Sequence, residues 1–350
     1  MDLASASALI DRAVADADRR GAAGTGALLD RVAADGATAL RLGTRLLSDP
    51  GPAARAVGCR LLRRAGGLHE EVRAPAATAL LAHLPAEADR TVRRLAVAAL
   101  GATQDERAVA QLVSLAEDVD PEVREAVARS LASVAPELPG DPEVPALIRL
   151  TTDPEPEVRN WATFALGFQL EVDTPAVRAA LWARAGDSYH QARAEGVRGL
   201  AVRHDPRAVR PLGELLAWSG GDPLTLRAAA VLGAAELLPG LRALDPATPG
   251  LAEALASCDP VARAALDRQA WSLVETLQPL LPDAAVSVTS DRFEPGLTLT
   301  VGTAHSTLSW SVEPLLARAG GAVGRAAALA AEDVEEDAHL SPPAGSADRA

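Results

Sequence analysis

Asp118-Val-Asp-Pro121-Glu-Val-Arg124 and Asp153-Pro-Glu-Pro156-Glu-Val-Arg159 are one phrase written twice, 35 residues apart. Working outward, Asp49-Pro-Gly-Pro52-Ala-Ala-Arg55 keeps the Asp-x-x-Pro-x-x-Arg spacing, and Asp187-Ser-Tyr-His190-Gln-Ala-Arg193 keeps it with His in the proline place. Weaker copies end at Arg93 and Arg227. From Arg93 onward the arginines step by 31, 35, 34 and 34 residues. A period of this length marks stacked helical repeats.

The residues after each arginine repeat as well. Three positions on stands a small residue: Gly58, Ala96, Ala162, Gly196 and Ala230, with Val127 the exception. Seven positions on stands Leu62, Leu100, Leu131, Leu166 or Leu200. Such spacing puts both on one helix face. A second apolar set lies between these helices, as in Val109, Leu112 and Leu115, or Val144, Leu147 and Leu150, or Val209, Leu212 and Leu215. Each unit therefore reads as two amphipathic helices joined by a turn.

The phrase has a physical reading. Asp in the turn accepts hydrogen bonds from free helix-start N–H groups. Pro at the first helical position gives up an N–H that had no partner. Arg, one turn in, reaches an Asp of its own or the neighbouring repeat. The expected ladder comprises Asp49, Arg55, Arg93, Asp118, Arg124, Asp153, Arg159, Asp187, Arg193 and Arg227. No single helix pair buries its apolar face alone, so the pairs must stack.

Asp-x-x-Pro-x-x-Arg-x-x-Ala with Leu four residues on resembles the HEAT repeat, above all the bacterial PBS-lyase HEAT-like repeats. The resemblance covers roughly residues 27–275. It implies an all-α fold, a right-handed alpha-alpha superhelix (an alpha-solenoid), and says little about function. Families of this kind include scaffolds, transport factors, bilin-lyase subunits and a few enzymes.

Composition agrees with an all-α reading. Of 350 residues 48% are hydrophobic but only 3% aromatic, so Ala, Leu and Val must supply the packing. The chain has no Lys at all, which excludes Schiff-base and P-loop lysine chemistry. A formal net charge of -13 argues against nucleic acid as a partner, because such binding neutralises phosphates. Cys59 and Cys258 stand far apart and outside any Cys-x-x-Cys pattern, as in a reducing compartment. No signal peptide or membrane span is read, and the chain reads as cytoplasmic.

The ends differ from the middle. Residues 1–26 read as a capping helix and Gly-rich loop, and 27–280 as the repeat solenoid. In 281–330, Ala285–Thr289, Leu297–Val301 and Thr307–Val312 alternate apolar and polar residues, which predicts a small β appendage capping the last repeat, followed by a helix. Residues 331–350, opening with Glu332-Asp-Val-Glu-Glu-Asp337, read as an acidic disordered tail.

Signals for chemistry are sparse. His69-Glu70 is one His-Glu pair where the di-iron HEAT enzymes, the deoxyhypusine hydroxylases, carry several, so no metal site is expected. No Gly-x-Ser-x-Gly elbow, Cys-His arrangement or phosphate loop is present, and no catalytic residue or cofactor is assigned. The arginines of Arg60-Leu-Leu-Arg63-Arg64 read as a solvated helix face. Trp161, Phe164, Phe168, Trp182, Tyr189 and Trp218 are six of the nine aromatics and fall within 161–218. Trp161, Phe164 and Phe168 form a stripe roughly 110° round from Val158, Ala162 and Leu166 at about 100° per residue. Two readings stay open: they fill the gap between repeats, or they line a concave surface as partner anchors. The expected function is a non-enzymatic scaffold for a protein partner. The alternatives are a lyase-like chaperone or enzyme subunit acting on a cofactor-carrying protein, and a nucleic-acid binder.

Overall fold

The computed structural model describes residues 2–20, 25–135, 142–291 and 294–340. The glycine-rich loop at 21–24 and residues 341–350 of the expected tail lie outside these. The chain divides into two units, residues 1–199 and 200–350. Apart from one small sheet, the regular structure in both is helical.

The first unit opens with α1 (Leu3–Arg20), whose Ala6, Ile10 and Ala13 form one buried stripe. It packs on α2 (Gly26–Ala33) and on the start of the repeats. Five helix pairs follow. They are α3 (Gly36–Leu47) with α4 (Pro52–Leu68), α5 (Glu70–His83) with α6 (Arg90–Gly101), α7 (Val109–Leu115) with α8 (Pro121–Val134), α9 (Glu143–Leu150) with α10 (Pro156–Phe164), and α11 (Pro175–Arg184) with α12 (His190–Ala201). Pro52, Pro121 and Pro156 stand at the helix starts, where the missing N–H costs nothing. Second helices stack on second helices, α4 on α6 on α8 on α10, and first helices likewise, α3 on α5 and α9 on α11.

The repeated leucines are the core of that stack: Leu62, Leu100, Leu131 and Leu166 are all buried. The small residue after each arginine sets the distance between the helices of a pair. A Cβ on Gly58 would lie 2.9 Å from Leu46 Cβ, and one on Gly196 2.7 Å from the backbone nitrogen of Ala185. The α10 helix ends in a π-helical turn over Ala165–Gln169. There Gly167 meets Gly199 of α12 so closely that a Cβ on Gly199 would lie 2.9 Å from Gly167 Cα.

The second unit begins in the same style, with α13 (Val209–Ser219) and α14 (Pro223–Leu232), then the short α15 (Leu238–Arg242) and α16 (Leu251–Cys258). Helix α17 (Pro260–Leu277) leads into β1 (Ala285–Thr289), β2 (Thr298–Gly302) and β3 (Thr307–Ser311), then α18 (Val312–Arg318) and α19 (Val323–Leu340). The strands form an antiparallel sheet in sequence order, Val286 facing Val301 and Val301 facing Leu308. The alternation read from sequence thus forms the sheet, with β2 one residue later than read and β3 ending one residue sooner.

Two expectations change here. The sheet is more than a cap: Leu299 and Val301 share one core with Leu273 and Leu277 of α17, Leu315 of α18 and Ala326, Ala327 and Ala330 of α19. Glu332–Asp337, expected to be disordered, lies within α19. The reason is the alanine stripe before it. Ala326, Ala327, Ala330, Ala331 and Val334 recur at helical spacing and are buried, so the acids ride on the open face of an anchored helix. One of them, Asp333, also accepts a 3.0 Å hydrogen bond from Trp310 Nε1 of β3.

Candidate interaction face on the second helices

The turn before each second helix is built by its own carboxylate. Asp49 accepts from the amide of Gly51, Asp118 from Asp120, Asp153 from Glu155 and Asp187 from Tyr189, each at 2.8–2.9 Å. These are Asx-turns. The helix start itself is capped, where it is capped, by a later residue: Asp120 accepts from Glu122, and Asp89 from Thr91 and Val92. The phrase aspartate is therefore free to face the preceding repeat.

There it meets arginine. Arg124 forks onto Asp153 at 2.7 and 2.9 Å while its Nη1 donates to the Asp118 carbonyl of its own turn at 2.9 Å. Arg159 does the same with Asp187 at 2.8 and 3.0 Å and with the Asp153 carbonyl at 2.9 Å. Arg93 reaches Asp118 at 2.6 Å. Each arginine thus ties its own turn to the next one. Asp153 and Asp187 are almost fully buried, so these forks work where water screens little. Burial acts to raise the carboxyl pKa of Asp187. The hydrogen bonds from Arg159 and the Tyr189 amide, with the charges of Arg159 and Arg184, outweigh it and hold the group below its ordinary value.

Other members of the expected ladder stand elsewhere. Arg55 pairs with Glu87 at 2.7 and 3.0 Å. Sequence reading passed over Glu87, although counting six residues back from Arg93 finds it in the aspartate place. Asp49 gives Arg55 only its backbone carbonyl, at 3.1 Å. Arg193 is exposed. Arg227 pairs with Glu294, in the loop before β2.

The six aromatics stand on different elements. Trp161, Phe164 and Phe168 make a continuous, partly exposed row along α10 and its π turn. Their ring centroids are 5.8 Å apart at both steps, edge-to-face and then stacked. Arg129 of α8, which sequence reading missed, lies 3.9 Å over the Trp161 ring. Its signal was present: it sits five residues after Arg124, round the helix from the ladder. Tyr189 lies in the turn before α12, its hydroxyl 3.3 Å from Glu157. Trp182 is 43% exposed on α11, a first helix, and Trp218 is 69% exposed on α13 of the second unit.

The remaining candidates are structural. His69 Nε2 lies 2.8 Å from the Ala33 carbonyl. Among the described residues no group of three or more His, Cys, Asp or Glu could hold a metal ion, and no helix is long and apolar enough to cross a membrane. Burial pushes the thiols of Cys59 and Cys258 up to about 12 and about 11, so neither is a ready nucleophile. In the Arg60–Arg64 segment Arg63 is exposed and Arg64 half-buried. Leu61 and Leu62 are core, and Arg60 is partly buried.

Stacked two-helix repeats tied turn to turn by Asp–Arg forks define an alpha-solenoid protein. Residues 77–167 match the family model described as HEAT repeats. Among solved structures the chain is similar to YibA of Escherichia coli, with 21% identity, 73% of this chain and 95% of that one covered, and a TM-score of 0.55. It also matches the complex of CpcE and CpcF of phycocyanin lyase from a Nostoc species, at 20% identity over 65% of this chain and 92% of that chain, TM-score 0.43. A third match is human deoxyhypusine hydroxylase in complex with glycerol, at 19% identity over 76% and 96%, TM-score 0.31. The similarity to YibA speaks for the fold alone. No curated protein matches the sequence.

Proposed function

We propose that this chain is a non-enzymatic scaffold that binds a protein partner on the face built by the second helices of its first unit. The observation that carries this is the row Trp161–Phe164–Phe168 with Arg129 stacked on Trp161. Partly exposed Trp and Arg beside one another are the residue types that dominate binding energy at protein interfaces. A rigid row on one helix also loses little entropy on binding. The repeat fold supports the same reading, since stacked repeats present extended surfaces.

The test is affinity capture of the tagged chain from its native lysate, parent beside Trp161→Ala, with mass spectrometry. A specific partner retained by the parent and weakened by roughly thirtyfold in the variant, about 2 kcal/mol, is expected for an anchor residue. Circular dichroism of the variant should match the parent. A partner held equally by both chains, or a variant that loses its helicity, would count against an anchoring role.

A further inference from the structure

The same face carries charge that the ladder does not use. A groove of about 620 Å3 runs between α6 and α8, with Arg63, Arg94 and Arg129 on its walls. Its floor is kept low by Ala98, Gly101 and Ser130. The helices are so close there that a Cβ on Gly101 would lie 2.6 Å from Ser130 Cβ.

Beside the groove Arg60 is partly buried. Burial first, and then the charges of Arg64, Arg94 and Arg63, push its guanidinium pKa below the ordinary value. Arg64 is matched by Asp30 at 2.6 Å, Arg94 by Glu122 at 3.2 Å and Arg129 by Glu125 at 3.0 Å. Among the described residues Arg63 makes no ion pair, and it stands exposed at the groove wall. Three arginines, Arg64, Arg94 and Arg63, act by their charge on Arg60 in a molecule whose net charge is -13, and two of them, Arg63 and Arg94, line the groove. Like charges gathered this closely repel one another, and an anion seated among them relieves the cost.

We propose that this groove takes an acidic segment of the partner protein, whose carboxylates bridge Arg63 and Arg94 while an apolar neighbour lies towards Trp161. The proposal rests on the scaffold reading and adds the chemistry of the partner. A guanidinium fork matches a carboxylate with two parallel hydrogen bonds, and every cation here is an arginine. Glu122 and Glu125 on the same walls choose between polyanions. They repel the unbroken charge of a nucleic-acid backbone, yet leave room for carboxylates spaced along a peptide.

The test pans a randomised phage-displayed peptide library on the full chain and on the Arg63→Glu/Arg94→Glu chain. The parent should enrich Asp- and Glu-rich sequences, and the charge-reversed chain should lose them. A selected peptide, synthesised with a fluorophore, should bind less tightly as salt rises and about tenfold or more weakly to Arg63→Gln. That residue is exposed, so its loss leaves the fold alone. Selection without acidic enrichment, or equal selection by both chains, overturns the proposal. Tighter binding of a labelled single-stranded oligonucleotide than of the peptide at equal salt also overturns it. If acidic selection fails while lysate capture still finds a Trp161-dependent partner, the scaffold reading stands and only the charge assignment falls. Acidic peptides selected with no Trp161-dependent partner uphold the groove and remove the aromatic row from the site.

Discussion

In the first unit, Arg93, Arg159, Arg124 and Arg55 each find a carboxylate one repeat ahead, 25, 28, 29 and 32 residues along the chain. In the second unit, Arg227 sits in the same frame but pairs with Glu294, 67 residues on and outside the helical repeats. The first pattern is local, buried and written by the period of the sequence. The second is long-range, half-exposed and has no periodic trace. The contrast shows where the repeat code stops coupling neighbours. Beyond α14 the chain is held instead by an apolar core shared between α17, the sheet and α19.

The largest effect expected from this contrast is at Arg124. Removing it leaves Asp153, 6% exposed, with its Asx-turn but without its fork. A buried charge stripped of its partner costs about 3 kcal/mol or more. Arg124→Ala should therefore melt well below the parent. Arg159→Ala should lose less, roughly 1–2 kcal/mol on the same footing, because Arg184 still holds Asp187 at 2.7 Å. Denaturant titration of both variants checks the order. Equal losses would show that Arg184 does not substitute, and no loss at either would break the ladder as a structural device.

Acid should sharpen the same picture. Glu87, like Asp187, is held below its ordinary pKa. Burial opposes this, but the hydrogen bonds from Arg55 and the Asp89 amide, with the charges of Arg55 and His83, outweigh it. A folded-state pKa below the unfolded one gives stability that is complete above the unfolded value, about 4, and is lost as pH falls from there towards the folded value. The melting temperature should be flat near neutrality and drop below about pH 4. Arg159→Ala should drop less steeply, since it has already forfeited part of Asp187's contribution. A parent that keeps its full stability through that window would show that these carboxylates do not differ between the folded and unfolded chain.

What was legible followed from periodicity. Asp118, Arg124, Asp153 and Arg159 announce a rung because a stacked repeat brings residue i beside the next copy of its partner. The leucines at Leu100, Leu131 and Leu166 announce the core for the same reason. Alternation in Ala285–Thr289 and Thr307–Ser311 announces strands. Three things were not legible. Glu87 substitutes for aspartate, so a search by residue identity passes over it although its register is right. Trp161 and Trp182 lie close in sequence but on a second and a first helix, a division that the run of aromatics along the chain does not show. The acids of Glu332–Asp337 hide a helix whose order comes from Ala326–Val334 packing on elements far away in the sequence.

The smallest expected effect is at Arg227, and it is the sharpest test of the comparison. The two side chains of its pair are 46% and 56% exposed. Exposed pairs contribute about 0–1 kcal/mol, because water screens the charges and ordering two long side chains offsets the gain. Arg227→Ala should thus change the melting temperature by little, while Arg124→Ala at the equivalent frame position changes it strongly. If Arg227→Ala instead destabilises as much as Arg124→Ala, the pair with Glu294 clamps the loop before β2 onto α14, and electrostatic coupling continues past the repeats in a non-periodic form. Added salt separates the cases. A screened surface pair loses its remaining contribution at high ionic strength, whereas the buried forks at Asp153 and Asp187 should be nearly indifferent to it.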